Sequence, residues 1–245
     1  MKKNELRILA LDSTAEISTV AVCQGDKLIS EITINTGNTH SQTLLPAVEQ
    51  ALNFAEITVN DIDAFACSVG PGSFTGVRIG VATVKGLAFG KDRPCVAVST
   101  LEALAYNLVG YNGIICSVMN ARRMQVYNAL FRCENGILTR LCADRAISVA
   151  DLDEELKNIN EPIYLCGDGY DITVNGLKES KTEFLPYRQR CQSAYSVARV
   201  AMDKLIKGEA VNDAELIPTY LRPSQAERER QARIDAEKTK TENCK

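Results

Sequence analysis

The order of predicted elements repeats along this chain, and that repeat constrains the fold more than any single motif. Leu6 to Leu11 reads as an apolar strand ending at Asp12-Ser13-Thr14. Thr19 to Cys23 and Leu28 to Ile34 read as strands joined by the turn Gln24-Gly25-Asp26. After the polar loop Asn35 to Thr39 comes a helix with Leu44, Leu45, Val48, Ala51, Leu52 and Ala55 on one side. Pro46 either starts the regular part of that helix or kinks it. The apolar run Ile62 to Val69, the break Gly70-Pro71-Gly72 and a long helix from Phe74 to Phe89 complete the first series. A strand Pro94 to Val98 and a helix Thr100 to Leu108, capped by Ser99, follow. Then the order begins again. Ile114 to Met119 ends at Asn120, where the first series had Asp12. Val126 to Arg132, the turn Glu134-Asn135-Gly136 and Ile137 to Cys142 lead to a helix near Asp151 to Asn158. The strand Ile163 to Cys166 ends in Gly167-Asp168-Gly169, in the place of Gly70-Pro71-Gly72, and a short helix reaches Leu177. Such a chain is expected to form two α/β domains of related fold, each with a mixed sheet whose first three strands are antiparallel.

The expected division is a first subdomain over 1–100, a second and reduced one over 101–222, and a charged tail over 223–245. Beyond the second copy lie a helix Ser193 to Ile206 and the segment Leu216 to Pro223. The tail is poor in apolar residues, which predicts flexibility and a dispensable role in stability and partner binding. Length and a 45% hydrophobic content suffice for a sizeable core. A net charge of −3 excludes a basic footprint able to supply the main grip on nucleic acid. No apolar run has membrane-spanning length, and Met1-Lys2-Lys3-Asn4 leads into a strand-like segment rather than a signal peptide. Nine cysteines without a C-x-x-C pair, most of them inside apolar strands, predict reduced buried thiols in a cytoplasm, not a zinc site or disulfide framework.

The glycine turn is the densest motif. Gly70, Gly72, Ser73 and Gly76 lie between a buried strand and a helix N-terminus, a geometry that can cradle an anion on free backbone N–H groups. It can equally be a tight corner. Gly70-x-Gly72-x-x-x-Gly76 misses the dinucleotide pattern by one residue, and no Gly-Lys-Ser/Thr follows. The helix behind the turn is apolar or small nearly all round. Val77, Val81, Val84 and Ala88 form one stripe, facing the chain's own sheet. Gly76 and Gly80 leave a groove for another backbone; glycine within a helix costs about 1 kcal/mol against alanine, so they need a packing reason. The expectation is that Gly76, Ile79, Gly80, Thr83 and Leu87 form an outward face against a partner.

Candidates for chemistry are few. Asp12-Ser13-Thr14 sits at the tip of the first hairpin. Sugar-kinase and actin-like ATPases hold nucleotide phosphate and metal there with Asp-x-Gly-Thr/Ser, but Ser13 takes the place of that glycine. The turn is therefore either a phosphate site or a plain hairpin turn. His40 is the only histidine; a metal pair at helical spacing needs another at the position of Leu44. A hydrogen bond at the helix start suits His40 better than catalysis. Asn120-Ala121-Arg122-Arg123 puts two cations on a strand-end turn, where an acidic partner, RNA backbone or solvent could meet them.

Together, Ile8 to Thr14, Thr39-His40-Ser41-Gln42, Leu44-Leu45-Pro46, Ser68 to Gly80 and Tyr220-Leu221-Arg222 resemble the bacterial TsaB (YeaZ) family. The run Gly-Pro-Gly-Ser-Phe-Thr-Gly-hydrophobic-Arg-Ile-Gly is the most specific part. The likeness covers Leu6 to about Arg222; Asn120-Ala-Arg-Arg departs from the Asp-Ala-Arg expected there. The resemblance implies an actin-like (ASKHA, RNase H-like) duplicated fold and a role in making threonylcarbamoyladenosine beside the anticodon of tRNAs reading A-starting codons. It implies a non-catalytic scaffold for a TsaD-type catalytic subunit, joined by a TsaE-type ATPase. The implied chain binds no metal or cofactor itself, ATP and metal entering through its partners. It meets tRNA mainly through the complex, and pairs with a second copy when alone. The first-subdomain helices, with Gly76, Ile79, Gly80, Thr83, Leu87, His40 and Leu44, are the implied packing surface. Asp12, Ser13, Thr14, Gly70, Gly72 and Ser73 are then a vestigial phosphate turn. The competing reading is an actin-fold phosphotransferase or ATPase using those two turns; a peptidase has little support in the residues.

Overall fold

The computed structural model describes residues 3–222, so the predicted tail over 223–245 lies outside the described residues. Five strands form the first sheet: β1 (Arg7–Asp12), β2 (Ser18–Gln24), β3 (Lys27–Ile34), β4 (Ala64–Ser68) and β5 (Cys95–Val98), in the order β3-β2-β1-β4-β5. The first three are antiparallel; β4 and β5 run parallel to β1. Helices α1 (His40–Phe54) and α2 (Phe74–Ala88) cover one face. The second sheet is built from β6 (Gly113–Asn120), β7 (Gln125–Glu134), β8 (Ile137–Arg140) and β10 (Ile163–Cys166), in the order β10-β6-β7-β8. The extra strand β9 (Arg145–Ser148) pairs with the first part of β7. This is the duplicated, actin-like pair of mixed sheets.

Alternation along β1 explains the layering. Leu9 and Leu11 point into the core beneath α1 and α2, whereas Ile8 and Ala10 point to the other face. That second face is as apolar as the first, so it too needs cover. Helix α7 (Ala194–Ile206) supplies it through Ala194, Val197, Ala198 and Ala201, aided by α3 (Thr100–Tyr106) through Ala103. The rest of α3 faces the other way, with Leu101 and Leu104 packed on Phe131 and Ile115 of the second sheet. The far side of that sheet carries α4 (Val149–Leu156) and α5 (Tyr170–Gly176). A one-turn helix, α6 (Tyr187–Arg190), leads towards α7.

Residues 101–222 are thus not a self-contained second unit. After the second copy the chain returns to the first: α7 covers the first sheet, Val211 bridges Cys95, and Leu216 enters the core beneath α2. The reason is that uncovered apolar face of β1, β2 and β4.

The loop after α5 is fixed by a buried carboxylate. Asp153 accepts the backbone N–H groups of Lys178 (2.7 Å), Glu179 (3.1 Å) and Ser180 (2.9 Å). Burial pushes its carboxyl up, but the hydrogen bonds from Ser180, Lys178 and Glu179 outweigh that and hold it at about 2. This folded value lies below the ordinary 3.8, so the contribution is complete above that pH and is lost as pH falls through about 2. Asp153→Ala should lower stability by about 2 kcal/mol, or about 4–8 °C in Tm, by leaving the donors unpaired. Differential scanning fluorimetry at neutral pH checks this.

Candidate functional site

The two turns singled out in the sequence meet each other. Ser73 N–H donates to Thr14 O (2.7 Å), and Ser13 Oγ donates to Gly76 O (2.9 Å). A Cβ on Gly76 would lie 1.9 Å from Ser13 O, and one on Gly72 2.5 Å from Thr14 O. The glycines therefore allow backbone to approach backbone in a seam within the chain. Ser73 also caps α2, accepting Gly76 N–H at 3.3 Å. Gly70 has φ +116, and a Cβ there would meet Thr219 O at 2.5 Å; Thr219 N–H in turn donates to Val69 O (2.8 Å).

Asp12 is held inside this seam. Its Oδ1 accepts Thr14 N–H (2.8 Å) and Thr14 Oγ1 (2.7 Å), and its Oδ2 accepts Ser68 Oγ (2.5 Å). Only 1% of the residue is exposed. Burial raises the carboxyl above its ordinary range, partly opposed by the Ser68 and Thr14 hydrogen bonds. A raised folded value makes ionisation unfavourable to folding, so this group's contribution to stability declines as pH climbs past 3.8. Asp12→Asn keeps an acceptor for Thr14 and should leave Tm at neutral pH unchanged or higher, while flattening that pH dependence. Asp12→Ala orphans the donors and should cost about 2 kcal/mol. Melting curves of the two variants across acid and neutral pH separate these outcomes.

The second half repeats the seam in outline. Asn120 Oδ1 accepts Arg122 N–H (2.8 Å), as Asp12 accepts Thr14 N–H. Gly167 has φ +108, close to Gly70, and its Cβ would lie 2.0 Å from Val118 O. Asp168 stands where the first half has Pro71; it accepts Asn120 N–H (2.9 Å). Its side chain is open to cleft water yet walled on both sides. Loss of hydration, against the Asn120 hydrogen bond and with Asp12 and Glu16 nearby, raises its carboxyl to about 6. Between the halves runs a cleft with lobes of about 460 Å³ and about 360 Å³, sharing Ala15, Glu16, Asn120 and Asp168.

The expected partner face divides. Gly76 and Gly80 point inward, onto Ser13 and Leu11, and do not belong to an outward surface. Their stripe adjoins that of Val77 and Val81 on the helix, so the two form one wide buried face. Leu44 is also in the core, 1% exposed. His40 ties the start of α1 to the first turn, its Nε2 donating to Ala15 O at 2.7 Å. Ile79, Thr83 and Leu87 lie part-exposed beside exposed Thr75, Arg78, Ala82 and Gly86. Leu45 (58% exposed) and Phe54 (70%) stand exposed on opposite flanks of α1, and Phe89 (76%) just after α2, as further large apolar groups of this helix pair. Among the described residues no group of three or more His, Cys, Asp or Glu side chains is placed to hold a metal, and no helix is long and apolar enough to cross a membrane. Eight cysteines are described, all as free thiols and seven of them buried.

The cleft residues Glu16, Asp168 and Phe74 escape a reading by sequence, because three distant segments bring them together; the only signal was the place of Asp168 in the repeat.

Comparison with known proteins agrees with this geometry. The family model for TsaD, tRNA N6-adenosine threonylcarbamoyltransferase, matches residues 27–229. The tRNA threonylcarbamoyladenosine biosynthesis protein TsaB of Bacillus subtilis is 32% identical, covering 91% of this chain and 96% of its own length. TsaB of Escherichia coli is 30% identical over 89% and 95%. The crystal structure of YeaZ from Pseudomonas aeruginosa superposes with a TM-score of 0.71 at 26% identity, covering 88% of this chain and 100% of that one. Over nearly the whole of its described length, the chain belongs to the TsaB family of tRNA threonylcarbamoyladenosine biosynthesis proteins, within the wider group that the TsaD model describes.

Proposed function

We propose that this chain acts in threonylcarbamoyladenosine formation as a non-catalytic subunit that docks a TsaD-type catalytic partner through the outer side of α1 and α2. One observation carries the reading. Asp12, the acid that the phosphotransferase reading needs, is buried and taken up by Thr14 and Ser68, whereas the helix pair α1 and α2 keeps Leu45, Phe54 and Phe89 exposed. A second copy covers that side when the catalytic partner is absent. A TsaE-type ATPase joins the assembly, ATP and metal enter through the partners, and tRNA is gripped mainly by the complex in the cytoplasm.

Reconstitution tests this. Purified TsaD-type and TsaE-type subunits should form threonylcarbamoyladenosine on tRNA only when this chain is added, and Asp12→Asn should support formation as well as the unaltered chain. ATP turnover by the chain alone that Asp12→Asn abolishes, in a protein still folded, would establish the phosphotransferase reading instead.

A further inference from the structure

The β6–β7 loop is the one motif of the sequence that docking leaves without a task. Arg122, Arg123 and Met124 all have left-handed backbone, with φ of 63, 54 and 55. Such angles are unfavourable for residues other than glycine. The loop is nonetheless pinned: Gln125 N–H donates to Arg122 O (3.1 Å), Ala121 N–H to Gln125 O (3.0 Å) and Val149 N–H to Met124 O (3.0 Å). The loop thus presents two exposed arginines, Arg122 lining the larger lobe of the cleft and Arg123 next to it in the chain.

Two more arginines belong to the neighbourhood of this rim: Arg222 lines the same lobe, and Arg78 packs behind its lining residues Phe74 and Tyr220. Arg222 donates to Gln125 Oε1 and Ala121 O and lies 5.9 Å from the Tyr127 ring centre. On the opposite wall, Arg78 lies 4.0 Å from the Phe74 ring centre and donates to Tyr220 Oη (2.9 Å); Tyr220 stacks on Phe74 at 4.7 Å and stays 42% exposed. No salt bridge to a carboxylate is seen for these four arginines among the described residues, nor for Arg7 and Arg190, whereas Arg93, Arg132, Arg140, Arg145, Arg188 and Arg199 each form one. In a chain of net charge −3, unpaired cations interleaved with aromatic faces form a local exception.

We propose that this rim is a contact site for unpaired RNA: phosphates on Arg122, Arg123 and Arg222, and one unstacked base against Tyr220 or Tyr127 in the lobe of about 460 Å³. Asp168 and Glu16, deeper in the cleft, repel phosphate and accept N–H groups from a base edge. An acidic protein segment would use the cations but leave the aromatic faces idle, so RNA matches more of the surface. The choice of RNA rests on the proposed role in tRNA modification.

The test is fluorescence anisotropy of the full-length chain with a labelled RNA stem–loop, between about 50 and 200 mM salt. With three phosphates engaged, the logarithm of affinity should fall against the logarithm of salt with a slope of about −2, taking about 0.7 per single-strand phosphate. Arg122→Asn with Arg123→Asn keeps residues that tolerate the left-handed backbone. This pair should weaken binding about tenfold or more at low salt and bring the slope to about −0.7. Tyr220→Ala should weaken binding about tenfold with the slope unchanged. Salt-independent or undetectable binding by the unaltered chain overturns the proposal, as does a folded Arg122/Arg123 variant that binds equally well. Displacement by poly-glutamate as effective as by unlabelled RNA assigns the rim to an acidic protein and also overturns it. If reconstituted modification still requires the chain while these variants bind normally, the RNA site alone is wrong; if modification proceeds without the chain, the proposed role is what fails.

Discussion

Gly76→Ala is expected to destabilise the chain by about 3 kcal/mol or more, lowering Tm by about 6–12 °C or preventing folding. The new Cβ would stand 1.9 Å from Ser13 O, a backbone atom that is held on both sides by the seam and has no rotamer to change. Two neighbours calibrate the effect. At Gly80 the contacts are Ser13 Oγ at 2.7 Å and Leu11 Cδ1 at 3.2 Å, side-chain atoms that can rotate only by giving up the Ser13 hydrogen bond to Gly76 O. The gain in helix propensity, about 1 kcal/mol, offsets part of that loss, and Gly80→Ala should cost about 1 kcal/mol, less than Gly76→Ala. Gly86 has nothing within 4 Å of an added Cβ, so Gly86→Ala should stabilise the monomer by up to about 1 kcal/mol. Thermal melts of the three variants should therefore rank Gly86, Gly80, Gly76 from most to least stable. Equal stability of all three would show that the seam yields more easily than its geometry implies.

Thr83→Glu should leave a folded protein that no longer associates. Thr83 lies part-exposed on the outer side of α2, where its hydroxyl donates to Ile79 O (2.8 Å) and supports nothing else. A glutamate there reaches water in the monomer at little cost. In an assembly docked on this side it would bury an unpaired charge, a loss of about 3–5 kcal/mol, or at least a hundredfold in affinity. Gel filtration and co-purification with the TsaD-type subunit should both register the loss, and threonylcarbamoyladenosine should vanish from the tRNA of cells relying on the variant. A variant that still captures the catalytic subunit moves the docking site elsewhere. The contrast with Gly76→Ala is informative, because one variant acts on folding and the other on association, although both residues belong to one helix.

That contrast also marks what the sequence could reveal. The duplication was legible from element order, and β4, the glycine turn and α2 came out where strand, breaker and helical stripe placed them. Strand β9 was missed because four residues beside the charged Asp144 carry no alternation to recognise; its pairing to β7 is a tertiary gain. The closeness of Gly76 and Gly80 to another backbone was legible from their size. Which backbone approaches was not, since adjoining helical stripes differ by only one residue's rotation and glycine has no side chain to show a preference. The Asp12 turn was correctly placed at a hairpin tip, but its partner Ser68 lies 56 residues away and no local pattern announces it. The cleft was beyond reach for the same reason, as its walls come from residues near 16, 74, 120, 168 and 220.

The return of α7 to the first sheet has a consequence for how the protein is made. Strand β5 ends at Val98, yet beyond the part supplied by Ala103 the cover for Ile8, Ala10, Ala66 and Val96 arrives with Ala194 to Ile206. At a synthesis rate of about 5–20 residues per second, the ribosome needs on the order of 5–20 s to translate the roughly one hundred residues between them. Throughout that interval the nascent first half carries one finished side and one bare apolar side. It is a client for holding chaperones, and a stalled or truncated chain ending before Ala194 is a substrate for aggregation or degradation rather than a working half-protein.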